Sequence, residues 1–139
     1  MDCRLALTLV ELAPGLAERG VVSVRLDNVY RRGAHLPGKR RNRSQHAYGL
    51  AVDVTALTLD DGRVLEIERD WHGQIGEPAC GPDATLDDPT EASIDLRDLV
   101  CDVARRRFFH TMLTPNYNAA HADHLHLDIK RDQTFWGIH

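Results

Sequence analysis

Apolar and polar residues alternate along Leu50 to Leu57 and again along His124 to Ile129, and a period of two predicts strands in both places. Successive side chains of a strand point to opposite faces, so Leu50, Val52 and Val54 share one face while Ala51, Asp53 and Thr55 share the other. The apolar set is expected to pack on a core, leaving Asp53 on an open face beside the small Ala51. In the second segment His124, His126 and Asp128 alternate with Leu125, Leu127 and Ile129, which brings two imidazoles out on one face.

The rest of the pattern supplies the frame. Leu5, Leu7, Leu9, Val10, Leu12 and Leu16 predict an N-terminal helix that Pro14 should break or bend. Val22 to Val29 alternates as a strand, and loop chemistry dominates from Gly33 to Arg43, including Pro37-Gly38. Leu50 to Leu57 and Val64 to Glu68 form a hairpin about Asp61-Gly62. Gly, Pro and Asp crowd Gly73 to Asp88, an irregular excursion placed to flank a cleft. Asp88 is the expected cap of a helix starting at Pro89, with Leu96, Leu99, Val100, Val103 and Phe108 as its core stripe. Thr114-Pro115-Asn116 then turns the chain toward His121. The whole predicts an α+β fold, an antiparallel sheet with helices packed on one face, in a single domain of 139 residues.

The candidate chemistry follows from the two strands. Zinc takes neutral imidazole nitrogens and carboxylate oxygens, and a catalytic site keeps three protein ligands and an open fourth position. His46, Asp53 and one of the paired histidines make such a set. A single buried His or Asp is more often a hydrogen-bonded structural residue. Joint occurrence weighs the other way, because three of the eight histidines fall within residues 121–126 beside an acid.

At these residues the chain resembles the extensin-like C-terminal domain family and, behind it, the zinc peptidases that include the murein endopeptidase MepA and D-alanyl-D-alanine carboxypeptidases, whose fold hedgehog signalling domains share. Ser44, His46, Gly49, Ala51 and Asp53 match the Ser-x-His-x-x-Gly-x-Ala-x-Asp pattern, and His121, His124 and His126 match a His-x-x-His-x-His ending. Asp61-Gly62-Arg63, Asp70-Trp71 and Leu113 to Asn118 extend the resemblance, which covers about Val22 to Lys130.

The resemblance implies His46, Asp53 and His126 as zinc ligands, with His124 as a neighbour in the site. It implies an upstream arginine after a tyrosine, matched by Tyr30-Arg31 with Arg32 as the fallback, and a catalytic base among Asp123, His121 and His124. The activity it implies is zinc-dependent hydrolysis of an amide bond in peptidoglycan peptides or a related small peptide. Ser44 is expected to hydrogen-bond the loop around His46 rather than act as a nucleophile. The rival expectation is a non-catalytic zinc-bearing binding or structural module of the cell wall. The cysteine usual in the family just before the Thr-x-Leu segment has no counterpart, and Arg106 or Arg107 stands in its place.

Composition narrows the partners. A net charge of −4 implies no general affinity for nucleic acid. Lys39, Arg40, Arg41 and Arg43 form a local basic run, read either as a solvated loop or as a rim attracting anionic substrate groups. No apolar run is long enough for a membrane span, and Met1-Asp2-Cys3 lacks a secretory pattern. Because extensin-like domains usually close longer exported proteins, the chain is expected to be an excised, monomeric, periplasmic or extracellular domain. In an oxidising compartment Cys80 and Cys101 are the first pair to test for a disulfide, with Cys3 left over.

Overall fold

A computed structural model describes residues 1–36, 39–130 and 133–139. The fold centres on β4 (Ala51–Leu59), which is buried on both faces along most of its length. β1 (Val21–Leu26) pairs antiparallel along one edge of β4. The opposite edge is divided, since β7 (Leu125–Asp128) takes Ala51 to Val54 and β5 (Val64–Glu66) takes Ala56 to Thr58. β6 (Thr111–Leu113) lies beyond β7, and β8 (Gly137–Ile138) pairs with β6 in parallel. The sheet is therefore mixed rather than wholly antiparallel, because the chain after β7 loops back to run alongside β6.

Two long helices cover one face. α1 (Cys3–Ala17) is capped by Asp2 and contains Pro14 without ending there. A proline in the last turn loses one carbonyl partner but leaves the remaining helical bonds intact. α3 (Glu91–Arg106) buries Leu96, Leu99, Val100 and Val103, as the stripe predicts. Phe108 lies beyond the helix end and is half-buried, while its neighbour Phe109 is the ring in the core. Leu12 and Leu16 of α1, Leu99 and Val103 of α3, and Val54, Leu125 and Leu127 of the sheet border one apolar crevice of about 200 Å³. Val52 is fully buried in the same core.

The helix cap differs from the expected one. Thr90, not Asp88, accepts the Ser93 backbone N–H, and Ser93 Oγ accepts the Thr90 N–H in return. This reciprocal pair satisfies two otherwise orphaned donors, which a lone Asp cap does not. The segment from Gly33 to Arg43 also departs from a plain loop, for β2 (His35–Leu36) pairs with β3 (Lys39–Arg43) as a small ribbon. The expected Pro37-Gly38 turn, and the side chains of Lys39 and Arg40, lie outside the described residues.

The excursion after α2 (Ile67–Asp70) packs against α3 instead of flanking the cleft. Arg97 is buried, its guanidinium 4.3 Å from the Trp71 ring centre, and donates to the carbonyls of Ala79 and Trp71. Trp71 Nε1 donates to Asn116 Oδ1 at 2.7 Å, and Asn116 Nδ2 donates to the Glu77 carbonyl. A Cβ on Gly73 would lie 2.1 Å from Asn116 Oδ1, so this knot requires glycine there. A Cys80–Cys101 disulfide fastens the excursion to α3, and Cys3 is free and exposed.

Candidate metal centre

The first motif works as a set of local geometries. Ser44 Oγ accepts the His46 N–H and caps a 3₁₀ turn over Gln45–Tyr48. Gly49 then adopts φ +67, a left-handed conformation that glycine enters without a Cβ penalty, and the chain reverses into β4. A Cβ there would also approach the Asp2 backbone nitrogen to 3.0 Å. His46 is thereby folded back over Asp53. The backbone before it is tied in as well, since Asp53 N–H donates to the Asn28 carbonyl and Arg31 N–H to the His46 carbonyl.

Across the sheet, Asp53 is registered opposite His126 and Ala51 opposite Asp128. His46 Nε2 lies 3.0 Å from Asp53 Oδ1 and 3.1 Å from His126 Nδ1, and His126 Nδ1 lies 3.1 Å from Asp53 Oδ1. Ligand atoms of a tetrahedral zinc site with bonds near 2.0–2.1 Å stand about 3.3 Å apart, close to this triangle. Each of the three atoms can offer a lone pair toward the same point, and a single cation there would accept all three. His46, Asp53 and His126 could hold a metal ion, and the donor set fits zinc.

Burial distinguishes this site from the open face expected for Asp53. Asp53 is 2% exposed and His46 0%. Burial by itself would raise the Asp53 carboxyl pKa, but hydrogen bonds from His126 and His46 outweigh it and hold the group well below the usual carboxylate range. Its second oxygen, Oδ2, lies 3.6 Å from an Arg31 guanidinium nitrogen, within ion-pair range. Arg31 lines the cleft, and Arg32 does not.

Two further residues, neither given a role by the sequence, support the cluster. Asp128 is buried, and its Oδ2 lies 3.3 Å from His126 Nε2, the ring nitrogen turned away from the cluster. Such a carboxylate holds a ligating imidazole in orientation and raises its basicity. His46 Nδ1 has no counterpart; it is buried without a hydrogen-bond partner among the described residues. Asn118 Oδ1 accepts the Ala120 backbone N–H at 3.0 Å and lies 2.8 Å from His121 Nδ1. A backbone N–H can only donate, so this oxygen is an acceptor and His121 carries its proton on Nδ1, leaving a lone pair on Nε2. The spacing of Asn118 to the 3₁₀ turn Ala119–His121 was the signal that could have revealed it.

His121, His124 and Asp123 line the cleft with His46, Asp53 and His126. The His121 ring centre is 5.1 Å from that of His124 and 6.1 Å from that of His126. Burial, reinforced by His124 and His126, pushes the His121 pKa down to about 4. His124 Nε2 is 3.7 Å from Asp53 Oδ1, and its Nδ1 is 2.7 Å from Asp123 Oδ1. The Asp123 side chain is 66% exposed and meets the cluster through His124. Arg31, His121, Asp123 and His124 are thus brought with His46, Asp53 and His126 to one cleft of about 690 Å³. None of the residues from Gly73 to Asp88 lines it.

Among the described residues no helix is long and apolar enough to cross a membrane. No curated protein and no solved structure matches the chain. Residues 8–137 match the family described as extensin-like protein C-terminus, a span reaching past the strand and histidine motifs into α1 at one end and β8 at the other, and the chain belongs to that family.

Proposed function

We propose that this protein is a zinc-dependent metallopeptidase that hydrolyses an amide bond in peptidoglycan peptides or a related small peptide, acting in the periplasm or outside the cell. The observation carrying this reading is the triangle of His46, Asp53 and His126 at the floor of a cleft whose walls hold His121, His124 and Arg31. Its motifs resemble those of MepA and the D-alanyl-D-alanine carboxypeptidases, and a hedgehog-like arrangement of the fold belongs to the same reading. The Cys80–Cys101 disulfide suits an oxidising compartment.

Bound at these ligands, zinc supplies a Lewis acid that polarises the scissile carbonyl and lowers the pKa of water to about 7. The remaining work falls to side chains of the chain itself. His121, neutral and with its Nε2 lone pair available, takes the proton of the attacking water and returns it to the leaving amine. His124, steadied by Asp123, offers a second imidazole at the same wall. Arg31, half-exposed beside Asp53, is within the cleft to meet a developing oxyanion or a substrate carboxylate.

The test is digestion of purified peptidoglycan by zinc-loaded protein, with mass analysis of the released fragments. Fragments that appear with wild type and not with folded His121→Ala support the reading. A folded, zinc-loaded wild type that releases nothing overturns it and leaves the zinc-bearing binding module.

A further inference from the structure

The cleft continues past the metal ligands. Beyond His126 a second recess of about 370 Å³ opens, and the two hollows share Leu36, Ser44, Leu113, Tyr117 and His126 as walls. A substrate lying over His46, Asp53 and His126 can therefore extend into both arms. Their charges differ. The first arm carries Asp27 and Asp123 together with Arg31, whereas the second carries Arg43 and Lys130. Among the described residues lining the second arm, the acidic side chain is that of Asp128, which is 4% exposed and engaged with His126. Lys130 Nζ is 4.0 Å from Asp128 Oδ1, at the limit of an ion pair, and Arg43 is exposed. The rings of Tyr117 and Phe135, 48% and 68% exposed, add apolar walls suited to the aliphatic part of a peptide.

We propose that this second recess is an anionic subsite, in which Arg43 and Lys130 hold a carboxylate of the peptide whose amide bond lies over His46, Asp53 and His126. The inference rests on the metallopeptidase reading and deepens it to acid-bearing peptides. An arginine can meet a carboxylate with two parallel N–H donors, and a neighbouring ammonium adds a point charge, so the pair discriminates acid from amide. The carboxylate can belong to the peptide's C-terminus, which makes the enzyme a carboxypeptidase, or to an acidic side chain, which makes it an endopeptidase.

The experiment takes the peptide cleaved in the peptidoglycan digestion and prepares it free, C-terminally amidated and side-chain amidated. Wild type is expected to show a KM about tenfold higher for one amidated form, which identifies the source of the carboxylate. In Arg43→Gln/Lys130→Gln, verified as folded and zinc-loaded, that discrimination should collapse. Equal KM values for all forms on wild type, or undiminished discrimination by the double variant, overturn the subsite. If no peptide is cleaved and the metallopeptidase reading falls, the subsite is read by titrating N-acetyl-glutamyl-alanine and its diamide into zinc-loaded protein while following the backbone amides of Ser44 and Thr111. Shifts from the acid alone, lost in the double variant, support it, and equal shifts from acid and diamide refute it.

Discussion

Asp53 and His126 are registered partners across the β4–β7 ladder, and their side chains meet with Oδ1 and Nδ1 3.1 Å apart. The adjacent pair in the same ladder, Val52 and Leu127, faces the helices as part of the core. A slip of β7 by one residue would turn His126 away from Asp53 and carry Leu125 and Leu127 out of the core together. Core packing therefore holds the candidate metal site in register.

Zinc binding is expected at about one ion per chain. Elemental analysis should show strong loss in His46→Ala, Asp53→Ala and His126→Ala, and retention in His124→Ala. Asp128→Asn should keep the site but weaken zinc affinity by roughly tenfold or more in a chelator competition, because the His126 ring loses its orienting carboxylate. Unchanged zinc in His126→Ala would remove the assignment.

The proton carrier is expected to be His121 rather than the exposed Asp123. His121→Ala should lower kcat by about 10²-fold or more with zinc retained, and Asn118→Ala should lower it less, by releasing the imidazole tautomer. Asp123→Asn should have a milder effect than His121→Ala, since its carboxylate acts through His124. A larger kcat loss in Asp123→Asn than in His121→Ala reverses the assignment.

Val52→Ala should destabilise the protein by roughly 1–3 kcal/mol, because the removed methyls leave space in a packed interior. Urea unfolding checks this, and a change under about 0.5 kcal/mol would mean the site collapses or was never tightly packed.

Loss of the Cys80–Cys101 disulfide through Cys80→Ser/Cys101→Ser should cost about 2–4 kcal/mol, as the bridge closes a span of 21 residues in the unfolded chain. Hydrogen exchange should locate the extra opening in Gly73 to Asp88. The metal cluster should keep its zinc, since no residue of that excursion lines the cleft.

Acid should destabilise the fold partly through Asp70. Burial works to raise its carboxyl pKa, but hydrogen bonds from Arg69 and the Glu66 backbone outweigh burial and lower it. A carboxyl whose folded pKa lies below the unfolded value of about 3.9 contributes fully above that pH and loses its contribution as pH falls through the folded pKa. Asp70→Asn should therefore be less stable at neutral pH and show a shallower loss below about pH 4. Parallel stability curves for the two proteins below that pH would exclude Asp70 as a source.

What the sequence determined by itself was local. The period of two separated Val52 from Asp53 and Leu125 from His126, the Asp61-Gly62 turn joined β4 to β5, and Ser44 and Gly49 bracketed the turn carrying His46. Backbone sterics and neighbouring side chains enforce each of these over a few residues. Tertiary structure decided what depends on distant groups: the burial of Asp53 under His46, the placement of Arg31 and not Arg32 at the cleft wall, and the route of the Gly73 to Asp88 excursion around Arg97. It also decided the parallel pairing of β8, the cap at Thr90, and the positions of Asp128 and Asn118 behind their histidines. No sequence period encodes these, because each depends on two segments reaching the same place and on which polar groups remain there to be satisfied.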